Sequence, residues 1–184
     1  HRHADHAGVA QEMTEDMMRT EMQLMKDMGV NFIRLGHYQQ SDIILQLCDS
    51  LGILVWEEIP WCRGGLGGPV YKEQARRMLT NMIDQHHNHP AVIIWGLGNE
   101  NDWPNDFSEF DKGAIRTFMK ELHDLAHRLD DTRMTAIRRC EFCSDIVDVY
   151  SPSIWAGWYR GVRAFPNHVA VLGEHKVIFH VRQQ

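Results

Sequence analysis

The chain has 184 residues, of which 43% are apolar and 24% charged, proportions that suit one globular domain with a real core. Its net charge of -6 disfavours nucleic acids and anionic membranes as partners, because a mildly acidic protein does not attract phosphate-rich surfaces. No run approaches the roughly 18 to 20 continuous apolar residues that cross a bilayer, and the polar, His-rich start is no signal peptide. The expectation is a soluble protein, cytoplasmic or periplasmic with the compartment left open, that accommodates a neutral, polar small molecule. His1 follows no initiator Met, and the chain reads as part of a longer protein.

In chain order, residues 14–28 predict an amphipathic helix, with Thr14 as cap, acidic residues in the first turn, and Met18, Met22 and Met25 recurring at helical spacing as core. Gly29 stops it, and Asn31-Phe-Ile-Arg-Leu35 is a strand-length apolar run ending at Gly36-His37-Tyr38. The step then repeats. Ser41 opens a helix that Gly52 closes, and Ile53-Leu-Val-Trp56 is a buried strand that delivers Glu57 and Glu58, one of which alternation turns toward any pocket and the other away. Residues 72–86 predict a third helix, and Ala91-Val-Ile-Ile-Trp95 a strand leading into Gly98-Asn99-Glu100. A fourth helix is expected over 115–128, with weaker strands at 134–137 and 146–150.

Helices alternating with apolar runs that lack in/out alternation indicate parallel strands covered on both faces, an α/β protein. Polar, aromatic and acidic residues gather after successive strands, and no Gly-rich phosphate loop follows any of them, so a barrel is favoured over an open nucleotide-binding sheet. Four cysteines, Cys48, Cys62, Cys140 and Cys143, are too few and too scattered for a disulfide framework. The lone C-x-x-C at Cys140 and Cys143 lacks the second pair of ligands that a zinc site wants nearby. No cofactor or metal is expected.

Glu100 is the leading candidate for chemistry. It ends an apolar strand behind an amide, with Trp95 and Trp103 near it in sequence, and aromatic surroundings can keep a carboxyl protonated for general-acid work. Asn99 places an amide beside this acid, and His37, at a strand end, can hydrogen-bond a hydroxyl in either protonation state.

The segment Asn88-His-Pro-Ala-Val-Ile-Ile-Trp-Gly-Leu-Gly-Asn-Glu100 resembles the acid/base signature of glycoside hydrolase family 2, the β-galactosidase and β-glucuronidase family. Residues 31–38 followed by Cys48-Asp-Ser-Leu-Gly-Ile-Leu-Val-Trp56 resemble the same family's other signature, in the right order. Leu35, Gly36 and Gln39 depart from the usual pattern around the His-Tyr, and Arg2-His3 with Asp5 and His6 is similar to the segment after the first barrel strand. The resemblance covers about residues 1–159. It implies an incomplete (β/α)8 TIM barrel, about strands 2 to 7, as a single partial domain over 1–184.

The resemblance further implies a retaining exo-β-glycosidase acting on terminal β-glycosides, with a weak lean toward β-galactosides, and a carbohydrate as the partner. Glu100 is then the acid/base, Asn99 a donor to the sugar 2-hydroxyl, His3 and His37 glycone contacts, and Arg34 an organiser of the pocket floor. Trp155 and Trp158 belong to an aromatic loop after the sixth strand, Trp155 standing where many members carry a tyrosine that assists the nucleophile. Glu174, after the run His168-Val-Ala-Val-Leu-Gly173, is the candidate nucleophile. The stretch between Trp155 and Glu174 is short for a crossover helix and Pro166 interrupts it, so an alternative puts the seventh strand at 176–181 and leaves the nucleophile missing. A sugar-binding protein without a nucleophile is thus the rival reading, and a metal-dependent hydrolase built on His1, His3 and His6 a third. Any oligomer would assemble through flanking domains that this stretch lacks.

Overall fold

A computed structural model describes residues 1–106, 109–152 and 180–181. Four helices alternate with strands: α1 Glu15–Asp27, β1 Phe32–Leu35, α2 Asp42–Leu51, β2 Leu54–Glu58, α3 Pro69–His86, β3 Val92–Asn99, α4 Lys112–Leu129, β4 Met134–Arg138 and β5 Val149–Ser151, with a two-residue β6 at His180–Val181. The ends follow the chemistry of the sequence. The Thr14 hydroxyl accepts from the Met17 N–H to start α1, the Asp111 carboxylate accepts from the Ala114 N–H to start α4, and Gly52 closes α2 in the left-handed conformation. Helix α3 begins earlier than the sequence indicates, because Pro69 is accommodated in its first turn, where no intrahelical N–H is needed.

Strands β1 to β5 pair in sequence order, every pair parallel. Arg2 adds a parallel bridge to Leu35 on the outer side of β1, where a preceding strand would lie. The result is a parallel half-barrel, in keeping with an incomplete (β/α)8 barrel. His180 and Val181 pair antiparallel with β5, so these two residues do not continue the parallel series that a seventh strand at 176–181 would require.

Alternation along the strands separates two apolar layers. Ile33 and Leu35, Val55, Trp95, Leu97 and Ile137 pack with the helices, while Trp56, Ile94, Ala136 and Val149 form a second cluster on the opposite, concave face of the sheet. Burying each such large side chain contributes about 1.5–3 kcal/mol. Trp56 lies across Gly96 so closely that a Cβ there would meet its indole Nε1 at 2.3 Å and the Glu58 Cβ at 2.4 Å. The same alternation divides the two adjacent glutamates. Glu57 points to the helix layer, accepting from the Gln40 N–H at 2.9 Å and pairing with His86 at 2.6 Å, while Glu58 turns to the concave side.

One irregularity changes which face a residue takes. Between Gly96 and Gly98 the register of β3 against β4 shifts, so that Gly98 lies opposite Ile137 and Asn99 opposite Arg138. Without that extra residue Asn99 would follow Trp95 and Leu97 toward the helices. With it, Asn99 and Arg138 share the concave face.

Candidate active site

The site is assembled at the carboxyl ends of β1 to β4. Arg34 is buried and makes a two-pronged contact with Glu58, Nε to Oε2 at 3.0 Å and Nη2 to Oε1 at 2.7 Å. Its guanidinium also lies 5.3 Å from the Trp56 ring centre. The desolvation of such a pair offsets much of its attraction, but removing one partner strands a buried charge at a cost of about 3–5 kcal/mol.

The Asn99 side chain is fixed by its neighbours. Its Oδ1 accepts from Arg34 Nη2 at 2.9 Å and from Arg138 Nη1 at 3.1 Å, and only an oxygen can accept from two guanidinium groups. The amide NH2 is therefore the end left for other contacts, with Nδ2 3.4 Å from the Cys62 sulfur. An amide held this way donates without first reorienting.

Glu100 follows with φ of +55°, an unusual conformation for a residue with a side chain. Its backbone is held on both sides, the N–H donating to the Arg138 carbonyl at 2.9 Å and the carbonyl accepting from the Gly64 N–H at 3.3 Å. Such strain costs about 1–3 kcal/mol and persists only where the surroundings enforce it. The carboxylate receives Arg138 Nη1 on Oε1 at 2.8 Å and the Trp103 indole N–H on Oε2 at 3.1 Å. Trp103 thus touches Glu100 through its polar edge. Trp95 does not take part, since it faces the helix layer and its indole N–H donates to Asp130 at 2.9 Å.

His37 Nδ1 lies 2.7 Å from Glu58 Oε1, and His3 stands beside it with ring centres 4.9 Å apart. Burial alone would lower the pKa of His37, but hydrogen bonds to Cys62 and Glu58 and the charge of Glu58 outweigh it and raise the value to about 9. His3 moves the other way, lowered first by burial and then by the neighbouring His37 cation. The two histidines therefore differ in charge at neutral pH.

Among the residues expected at the site, His3, Arg34, His37, Asn99 and Glu100 come together. Arg2 turns away from His3 to the helix layer, where it contacts Glu21 and Gln40. Trp155, Trp158 and Glu174 lie outside the described residues. Two participants were missed from sequence. Arg138 binds both Asn99 and Glu100 and was signalled only by its place at the end of β4, while Cys62 comes alongside Asn99 through a bridge that no motif announces. Glu58 was noticed but given no role. As for metals, the histidine group is His1, His3 and His37 rather than one with His6, whose Nδ1 lies 3.0 Å from the Ala7 carbonyl. A second group, His123, His127 and Asp148, lies among α4, β4 and the segment before β5, where Asp148 also binds Thr135.

The family model for the TIM barrel domain of glycosyl hydrolases family 2 matches residues 1–176. The chain belongs to glycoside hydrolase family 2. It is similar to the crystal structure of Parabacteroides merdae β-glucuronidase, with 84% identity and a TM-score of 0.86 over 93% of this chain and 22% of that one. It is 52% identical to a putative β-glucuronidase of Formosa agariphila over 88% of this chain and 20% of that protein. A β-galactosidase of Thermoanaerobacter pseudethanolicus is 31% identical over 91% of this chain and 21% of its own length. The chain thus spans about a fifth of each of these relatives.

Proposed function

We propose that this chain forms the acid/base side of the active site of a retaining exo-β-glycosidase, and that the glycone is a β-glucuronide rather than the β-galactoside favoured from sequence. The observation that carries the reading is the Asn99–Glu100 pair, an amide with its oxygen tied to two arginines beside a carboxyl on the concave face of a family 2 barrel. Glu100 would protonate the glycosidic oxygen as the bond breaks and then deprotonate the water that releases the sugar. Asn99 would donate from Nδ2 to the 2-hydroxyl, a bond that strengthens as the ring gains oxocarbenium character. Glu174 is proposed as the nucleophile that carries the glycosyl group between the two steps.

Two arguments support an acidic sugar. Of the relatives named above, the two of higher identity carry the glucuronidase name and the galactosidase stands at 31%. The pocket also sets three cations, Arg34, Arg138 and protonated His37, around the carboxylate of Glu58, which suits a sugar carboxylate better than a neutral hydroxymethyl group.

Incubation of the full-length protein with 2-deoxy-2-fluoro-β-glucuronyl and β-galactosyl fluorides, followed by peptide mass spectrometry, tests both halves. A glucuronyl adduct on Glu174 is the expected result. A galactosyl adduct would reverse the glycone, and no adduct on folded protein would leave a sugar-binding domain without a nucleophile.

A further inference from the structure

Arg138 is the last residue of β4, and both its backbone and its side chain engage the Asn99–Glu100 pair. Its carbonyl accepts from the Glu100 N–H at 2.9 Å, while its Nη1 donates to Asn99 Oδ1 at 3.1 Å and to Glu100 Oε1 at 2.8 Å. The next residue, Arg139, donates its N–H to the Ser151 carbonyl at 2.8 Å. The backbone that carries the Arg138 guanidinium is thus pinned to the chain on either side of it.

Asn99 is 3% exposed, too little for water to stand in for a lost partner. Its side-chain oxygen has two lone pairs, and Arg34 from β1 and Arg138 from β4 each take a place on it. Turning the amide over would set its NH2 against both guanidinium groups, donors facing donors, in surroundings where an unmet polar group is costly. The two arginines differ in what else depends on them. Arg34 also makes the two-pronged pair with buried Glu58, so its loss strands a charge. Arg138 is paired with Glu100, and a Glu100 without it keeps the Trp103 indole N–H.

Building on the glycosidase reading, we infer that Arg138 is a positioning residue that makes the site read a hydrogen-bond acceptor at sugar C2. By holding Asn99 Oδ1 it keeps Nδ2 as the end presented to the sugar, and by holding Glu100 Oε1 with the same nitrogen it fixes the acid relative to that donor. The glycones selected carry a hydroxyl at C2, which accepts from the amide. A 2-ammonium sugar can only donate and is itself positive, so it meets the Asn99 donor with two guanidinium groups behind it and is rejected.

The test measures kcat/KM on the full-length protein for 4-nitrophenyl β-D-glucuronide and its 2-deoxy analogue, the ratio within each enzyme cancelling general losses of activity. The wild type should favour the 2-hydroxy substrate by about a hundredfold, as suits a bond that strengthens in the transition state. Arg138→Met should lower that ratio about tenfold, slowing the 2-hydroxy substrate more than the 2-deoxy one, and Arg138→Lys, which keeps a donor, should recover part of it. In an Asn99→Ser background Arg138→Met should leave the ratio unchanged, because both residues act through one contact. A wild-type ratio in both Arg138 variants, with the two substrates slowed alike, makes the arginine merely structural and overturns the inference while the glycosidase reading stands. Should the variants fail to fold, the 2-amino-2-deoxy glucuronide on the wild type decides: turnover close to that of the 2-hydroxy substrate overturns the inference, and turnover below that of the 2-deoxy analogue supports it. A wild-type ratio near one removes the 2-hydroxyl role of Asn99 and the inference with it. Hydrolysis of neither glucuronide, nor of the corresponding galactosides, removes the glycosidase reading as well.

Discussion

A histidine and a glutamate separated by 21 positions in sequence come within 2.7 Å, and that contact makes the pocket sensitive to pH. In the unfolded chain His37 has an ordinary pKa of about 6.5, and in the folded protein it is raised to about 9. A group whose folded pKa is raised contributes stability that is fully present below about pH 6.5 and fades as pH rises through about 9. The stability advantage of the wild type over His37→Phe, read from urea midpoints, should therefore narrow steadily between pH 6.5 and 9.5. A gap independent of pH would mean that the proton on His37 is not held by Glu58. Signatures in the sequence pointed to His37, Asn99 and Glu100, but not to the partners that set their state. Glu58 and Arg138 sit on other strands, and the pairing that brings them in is invisible in a local pattern.

As far as β5, elements were read from sequence in the right order and kind, because each helix carries its own cap or stop and each buried strand its own apolar run. Their lengths moved where local signals were silent. Helix α4 begins at Lys112 because Asp111 caps it, and β5 shrinks to Val149–Ser151 because the residues before it are occupied by turns. The sharpest dependence on one position lies in β3. Gly96→Ala would drive a Cβ into Trp56 and Glu58, and overpacking of that kind costs about 1–3 kcal/mol or more. A fall in the urea midpoint with loss of Trp56 fluorescence anisotropy is expected, whereas Gly113→Ala, in α4 with only the Asp111 carboxylate near its added methyl, should change stability little.

For the whole molecule, five parallel strands form part of a cylinder, and the described residues show no pairing between β1 and the last strand of the sheet. The concave cluster of Trp56, Ile94, Ala136 and Val149 is nonetheless buried within this chain. Open strand edges favour association. The isolated 184-residue chain is expected to elute as dimers or larger species in size-exclusion chromatography with light scattering. A monodisperse, cooperatively unfolding monomer would show that the half-barrel is self-sufficient.

The sequence by itself determined the α/β class, the succession of helices and strands as far as β5, the family, and the placing of Asn99 and Glu100 side by side at a strand end, because caps, apolar runs and motifs are local properties of the chain. Tertiary structure decided which way those residues face. The bulge after Gly96 turns Asn99 from the helix layer to the pocket, strand alternation separates Glu57 from Glu58, and parallel pairing sets Arg138 between the amide and the acid. The physical reason is common to all three. Facing depends on register between strands distant in sequence, and register is fixed only when their backbones pair and both faces are buried.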